Sequence, residues 1–238
     1  MESVVRARHF DIPPKIRGGD KLLIDLHVHS RYSPDSPIAP KTILKVAKKR
    51  GLEGVAVTDH HTIRGGLETL SVNRDPHFLV IVGSEIETDC GDIIGLFLVE
   101  EIRSREVHEV LKEIKEQNGV ALWAHPYRAG KNLLPHALIK QVDLIEGSNA
   151  KTAESDNVRA RSLAARYRKP VVGASDAHSE SEIGNAATLV DCSNIEHVKG
   201  ALAKGKTHIV GFKPGYERDR QPAKKRLRLR YGRDHPSL

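Results

Sequence analysis

The sequence predicts a parallel α/β fold closed into a small barrel. Three observations carry that expectation. Runs of four to seven apolar residues, the size of buried parallel strands, alternate with helical patterns through most of the chain. At least seven such strand–helix units fit into about 190 residues, which favours a barrel over an open sheet. Histidines and carboxylates recur at or just past the C-terminal ends of the strands, the rim where barrels of this kind build active sites. A doubly wound sheet also binds ligands at that end, so the last observation places a site without choosing between the two folds.

Taken in order, residues 1–20 read as an irregular arm ending in Pro13-Pro14 and Gly18-Gly19. Leu22 to Leu26 form a buried strand that runs into Asp25-Leu26-His27-Val28-His29. Alternate strand residues point the same way, which puts Asp25, His27 and His29 on one face. Two imidazoles so placed can grip one metal ion, and a neighbouring carboxylate can orient a ring. Two ordinary surface histidines are the plain alternative for this pair alone. A Pro-broken loop over 30–37 follows, then a helix from Pro40, which suits a first turn, to about Arg50, closed by Gly51. Gly54 to Thr58 is a second strand, ending at Asp59-His60-His61, and a helix starts near Ile63. Phe78 to Val82 is a third strand, ending at Gly83-Ser84-Glu85, and Ile93 to Val99 a fourth, preceded by Asp89-Cys90-Gly91-Asp92.

Ser104 can cap the next helix, whose Val107, Val110, Leu111 and Ile114 form one apolar stripe, with Gly119 as the stop. Val120 to Ala124 is a fifth strand, ending at His125-Pro126. A short helix over Leu133 to Lys140 leads to a sixth strand, Val142 to Glu146. A helix over 153–168 leads to a seventh, Pro170 to Ala174, ending at Ser175-Asp176-Ala177-His178. Ala187 to Val190 adds a last strand, and Ile195, Val198 and Leu202 line a final helix closed by Gly205.

Composition fits one domain with a tail. The chain has 238 residues, 39 % apolar but only 4 % aromatic, so aliphatic side chains must fill the core. No apolar run approaches the ~20 residues needed to span a bilayer, and the first 20 residues hold no signal-peptide-like stretch. Two cysteines, Cys90 and Cys192, are too few for a disulfide framework, which suits a reducing cytoplasm. Most of the net charge of +7 belongs to residues 212–238, where nine Lys or Arg face three acids; the body is nearly neutral. The run Lys224-Lys225-Arg226-Leu227-Arg228-Leu229-Arg230 is either a solvated terminus or a grip on nucleic-acid phosphates.

Each rim residue taken singly has a structural explanation. Five strand ends in succession carrying His or carboxylate donors are much harder to dismiss. Donors of this kind without thiolates suit Zn²⁺, Mn²⁺ or Fe²⁺, and there are more than one four-coordinate ion can use. Between two such cations a water loses its proton near neutral pH and becomes a nucleophile, so no Ser or Cys is needed. Arg128 and Lys131, just past His125-Pro126, and Arg31 are candidates to hold an anionic substrate group. Asp59 reads as a support rather than a donor to the ion.

The motifs Asp-Leu-His-Val-His-Ser at 25–30, Asp35, Val-Thr-Asp-His at 57–60, Gly-Ser-Glu-Ile at 83–86, Ala-His-Pro at 124–126 and Ser-Asp-Ala-His at 175–178 resemble, in order and spacing, those of the PHP (polymerase and histidinol phosphatase) domain family. The likeness covers roughly 21–210, within a domain over 21–211. It implies a distorted (β/α)7 TIM-like barrel holding two or three divalent ions and hydrolysing phosphoesters. Carried over, His27, His29, Glu85 and Asp176 would hold one ion; Glu85 would bridge to a second, also held by His125; Asp35, His60 and His178 would form a third position. Glu85 and Asp176 would thereby place the attacking hydroxide. Many members carry a further His before the fourth strand, where this chain has Asp92-Ile93-Ile94-Gly95. Asp92 either replaces that donor or leaves the position without one. The expected function is a cytoplasmic metal-dependent phosphoesterase acting on a small phosphomonoester, a nucleotide or an oligonucleotide end. Two rivals stand beside it: a non-catalytic subunit of the same fold that binds RNA or DNA, and hydrolysis of a non-phosphate bond at a related metal site.

Overall fold

The computed structural model describes residues 21–128 and 135–211. The arm before residue 21, Lys131, the start of the helix expected from Leu133, and the basic tail lie outside the described residues. Elements follow in the order β1 (Lys21–Val28), α1 (Pro40–Lys49), β2 (Gly54–Val57), α2 (Arg64–Val72), β3 (Leu79–Thr88), β4 (Gly91–Leu96), α3 (Val107–Glu116), β5 (Val120–Trp123), α4 (His136–Ile139), β6 (Leu144–Asn149), α5 (Glu154–Tyr167), β7 (Val171–Ala174), β8 (Ala186–Asp191), α6 (Val198–Ala203) and β9 (Thr207–Gly211).

One nine-stranded sheet runs β7-β6-β5-β4-β3-β2-β1-β8-β9. The expectation of an all-parallel sheet needs correcting at two places. β3 and β4 pair antiparallel, because only Asp89 and Cys90 separate them and Gly91 takes φ 100° at the turn. A parallel crossover needs a dozen or more residues, so this link can only make a hairpin. At the other side β8 pairs antiparallel with β1 and with β9, a strand the sequence reading missed. β4 pairs antiparallel with β5 as well; among the described residues, the remaining pairings β1–β2, β2–β3, β5–β6 and β6–β7 are parallel.

The sheet curls until β7 meets β1 and β8. Gly173 N donates to Thr188 Oγ1 at 3.0 Å, and Ser175 N donates to Asp25 Oδ1 at 3.0 Å. At the rim, His29 N donates to Ala177 O at 2.9 Å, and Val28 bridges Ala177 in parallel. Closure needs Gly173, since a Cβ there would sit 2.7 Å from Ala187 O. The barrel interior is aliphatic, with Ile24, Leu26, Ala56, Ile81, Ile94, Leu96, Leu122 and Leu144 in one buried cluster. Two further clusters lie between sheet and helices.

Helix ends differ from expectation in detail. Glu106, not Ser104, caps α3, its carboxylate accepting from His108 N and Glu109 N; Ser104 Oγ instead accepts from Glu106 N. The left-handed residue that stops α3 is Asn118 (φ 55°), a residue type that tolerates this region, rather than Gly119. The last helix starts as a 3₁₀ turn at Ile195–His197, and α6 then buries Val198 and Leu202.

Candidate metal centre

Register shifts re-aim the donors. In β1 the pairing slips between Asp25 and Val28. Ile24 and Leu26 join the barrel interior, while His27 and His29 turn to the rim cluster. Asp25 therefore does not share their role. Its carboxylate accepts from Ser175 N at 3.0 Å, Gly184 N at 2.7 Å and His27 N at 3.3 Å, and so ties β1 to the segment after β7. Burial pushes the Asp25 carboxyl up to about 6 against these hydrogen bonds. The carboxylate that meets the His27 ring is Glu146 of β6, with Oε1 3.1 Å from Nδ1.

The nine expected metal donors converge. His29, Asp35, His60 and His178 form one group, His27, His29 and Glu85 a second, His27, His125 and Asp176 a third, and Glu85, Asp92 and His125 a fourth, each with donor atoms within 4.8 Å of one another. Glu85 is central. Its Oε2 lies 3.3 Å from His27 Nε2, His29 Nε2 and His60 Nδ1, and its Oε1 lies 2.9 Å from His125 Nε2. Asp176 Oδ1 reaches His27 Nε2 at 3.5 Å and His29 Nε2 at 3.4 Å. Asp35 Oδ2 lies 3.1 Å from His178 Nε2 and 3.4 Å from His60 Nε2. Asp92, in β4 and 5 % exposed, places Oδ2 3.7 Å from His125 Nδ1. His125 (φ 26°) and Asp176 (φ 56°) hold strained backbones, as does His61 (φ 59°) beside His60; such outliers cost roughly 1–3 kcal/mol each and cluster at functional sites.

Hydrogen bonding fixes which ring nitrogens face inward. Ser33 Oγ donates its single proton to Asp59 Oδ1 at 2.9 Å, so His29 Nδ1, 3.0 Å away, must donate to Ser33. His178 Nδ1 lies between Asp176 O at 2.8 Å, an acceptor, and Lys151 Nζ at 3.1 Å, a donor. The Nε2 atoms of His27 and His29 then face each other at 3.0 Å. Two lone pairs at that distance repel unless a cation or proton lies beside them. His125 Nδ1 is also buried without a hydrogen-bond partner among the described residues. The donor set, imidazole and carboxylate without thiolate, fits divalent Mn, Zn or Fe.

The electrostatics agree. Burial opposes charge at His27, but Asp176, Glu85 and Glu146 outweigh it and hold its pKa well above the ordinary value. Burial would raise Glu85, yet His27 and hydrogen bonds from His125, His27 and His29 hold it well below the usual carboxylate range. Asp176 is held low in the same way, by His27, His29 and Arg128 against burial. Without ions, the surrounding carboxylates thus favour the protonated forms of His27 and His29.

A cleft of about 360 Å³ opens over the cluster, lined by Asp35, His60, Glu85, Asp92, Asp176 and His178 together with Arg128 and Lys151. Arg128 pairs with Asp176 and donates to Asn149 Oδ1 at 2.9 Å. Arg31 does not line the cleft; its guanidinium lies 3.0 Å from Glu68 of α2. Asp59 supports from behind, accepting from Ser30 N at 2.6 Å and Ser30 Oγ at 2.7 Å. Sequence reasoning missed Glu146, Asn149 and Lys151. Glu146 ends the expected sixth strand, the same strand-end signal that marked the donors.

A family model described as the PHP domain matches residues 25–169, and one described as PHP-associated matches 154–207. The chain belongs to the PHP family. An uncharacterised protein of Methanocaldococcus jannaschii is 49 % identical over 114 residues, covering 43 % of this chain and 67 % of that protein. The PHP barrel is also similar to a crystal structure of a two-domain Bacteroides vulgatus protein described as containing a predicted PHP-like metal-dependent phosphoesterase, with TM-score 0.72 at 21 % identity over 87 % of this chain and 69 % of that one. It is similar to Endonuclease Q in complex with a 27-mer duplex substrate, with TM-score 0.62 at 18 % identity over 82 % of this chain and 60 % of that one. The fold is thus a PHP-type distorted barrel, and no helix among the described residues is long and apolar enough to cross a membrane.

Proposed function

We propose that this PHP domain, spanning 21–211, hydrolyses a phosphate ester with two or three bound divalent ions, Mn²⁺, Zn²⁺ or Fe²⁺. The observation that carries the reading is Glu85, whose two oxygens reach imidazoles from three separate strand ends. His27, His29, Glu85 and Asp176 would hold one ion; Glu85, His125 and Asp92 a second; Asp35, His60 and His178 a third. Divalent ions held there supply Lewis acidity towards phosphoryl oxygens and a nucleophile at neutral pH.

The chain's own groups do the rest. Glu85 and Asp176 keep their negative charge, since both carboxyls are held well below the usual range. They therefore place cations rather than give protons. Arg128 stands beside Asp176 at the cleft, anchored by Asn149, where it meets a phosphoryl oxygen. The substrate is a small phosphomonoester, a nucleotide or an oligonucleotide end. Among the described residues, Cys90 and Cys192 form no disulfide, which suits a reducing cytoplasm.

A phosphoester panel assayed for phosphate release with Mn²⁺, Zn²⁺ or Fe²⁺ tests the reading. Turnover of at least one substrate is expected, falling about 10²-fold or more in Glu85→Gln with loss of bound metal by elemental analysis and an unchanged far-UV spectrum. A Glu85→Gln variant with normal turnover would sink it. A second reading, nucleic-acid binding without catalysis, draws support from the basic run at 224–230 and the duplex bound by Endonuclease Q; salt-dependent RNA or DNA binding with no turnover on the panel would favour it.

A further inference from the structure

Behind the donors lies a layer built by one strand. β6 pairs with β7 through a register shift between Glu146 and Ser148. In a regular strand residues three apart point to opposite faces, but one extra residue restores them to the same face. The shift thus turns both Glu146 and Asn149 toward the metal centre, where they bond to each other. Glu146 is fully buried. Its Oε1 lies 3.1 Å from His27 Nδ1, and its Oε2 accepts from His125 N at 2.8 Å and Asn149 Nδ2 at 3.0 Å. The Asn149 amide cannot flip: its Nδ2 also donates to Asp176 Oδ2 at 3.2 Å, and its Oδ1 accepts from Lys151 N and Arg128 Nη2, both at 2.9 Å.

We propose that Glu146 is a positioning residue of the metal centre: its carboxylate keeps the His27 proton on Nδ1, so that Nε2 presents its lone pair to the cation. The proposal rests on the metal-centre reading above. An ionised carboxylate only accepts, so both oxygens are used by groups that only donate there: a backbone N–H, a locked amide NH₂ and the imidazole N–H. Support of this kind orients a ligand ring and raises its basicity. Through Asn149 the same side chain also steadies Asp176 Oδ2, so donors from β1, β5 and the segment after β7 share one buried brace.

Glu146→Gln separates this role from simple space-filling, because it keeps the volume and removes one acceptor. The remaining amide oxygen is required by the two fixed donors, His125 N and Asn149 Nδ2. The new NH₂ then faces His27 Nδ1, which must accept, and the ring proton moves to Nε2, the atom that faces the ion. We expect Zn²⁺ affinity, measured by chelator competition, to fall roughly 10–100-fold with the far-UV spectrum of the metal-free protein unchanged. In zinc-loaded wild-type protein, long-range ¹H–¹⁵N imidazole spectra should show His27 protonated at Nδ1. Wild-type affinity in Glu146→Gln, or a wild-type His27 carrying its proton on Nε2, would overturn the proposal while leaving the metal centre standing. The second measurement needs no variant, so it decides even if Glu146→Gln folds poorly. A wild-type protein that binds no Zn²⁺, Mn²⁺ or Fe²⁺ would overturn the metal-centre reading itself, and the proposal with it.

Discussion

Asp92 stands where many PHP proteins carry a histidine, and its placement gives the substitution a chemical meaning. It shares a donor group with Glu85 and His125. A carboxylate is a harder donor than imidazole, so Asp92 holding an ion would shift preference at that position towards Mn²⁺ or Fe²⁺ over Zn²⁺. It also adds a negative charge, lowering the effective charge of the ion pair. Asp92→Ala should cost metal at one position only, read as a drop in metal stoichiometry by elemental analysis, and Asp92→His should keep the metal but move preference towards Zn²⁺. An unchanged stoichiometry in Asp92→Ala would mark Asp92 as a buried residue of the β3–β4 hairpin and nothing more. Most residues of the candidate site were legible in the sequence, because they lie at or near strand ends beside short apolar runs; Asp35, in the loop after β1, was marked only by the family resemblance. Glu146 and Asn149 were not read as a pair, because their common face depends on a register shift that no spacing rule reports. Asp25 misled for the same reason: strict alternation put it with His27, and the slip in β1 did not.

Helices and parallel strands were legible, since apolar stripes and punctuating Gly and Pro set them locally. α3 buries the expected Val107, Val110, Leu111 and Ile114. The antiparallel strands were less so, because direction is decided by link length and by partners far along the chain; β9 is half-exposed and carried no apolar run. One helix end offers a direct test. α5 ends at Arg168 in the left-handed region (φ 53°, ψ 39°), a conformation that costs a side-chain-bearing residue but not glycine. Arg168→Gly should stabilise by about 0.5–1 kcal/mol after the entropy of the freer unfolded chain is set against the relieved strain. In a domain of this size that is a rise of roughly 1–4 °C in melting temperature. A lower melting temperature would mean that Arg168 makes a compensating contact.

The molecule as a whole should be most sensitive to pH when it lacks ions. His27 has a folded-state pKa well above its ordinary value, so between the two values the folded chain binds more protons than the unfolded one. Its stabilising contribution is complete below about 6.5 and fades as pH rises through the folded value. Glu85 and Asp176 run the other way, contributing above the ordinary carboxylate range and losing that contribution only in acid. The melting temperature of chelator-treated protein should therefore decline as pH rises from about 6.5, and Mn²⁺ should restore it, most strongly where protons no longer compete for the imidazoles. A flat calorimetric profile in the metal-free protein over that range would refute the proton-for-metal exchange.

The hydrogen bond from His29 N to Ala177 O joins the start of the barrel to its last parallel strand, some 150 residues along. During synthesis, then, the early histidines emerge from the ribosome long before their acidic partner at Asp176. A nascent chain that ends before β7 holds His27 and His29 but can neither seal the barrel nor complete their donor set. Completion of the donor group that includes Asp176 would thus coincide with ring closure, late in biogenesis, and an ion held there would act as a clasp fastened last.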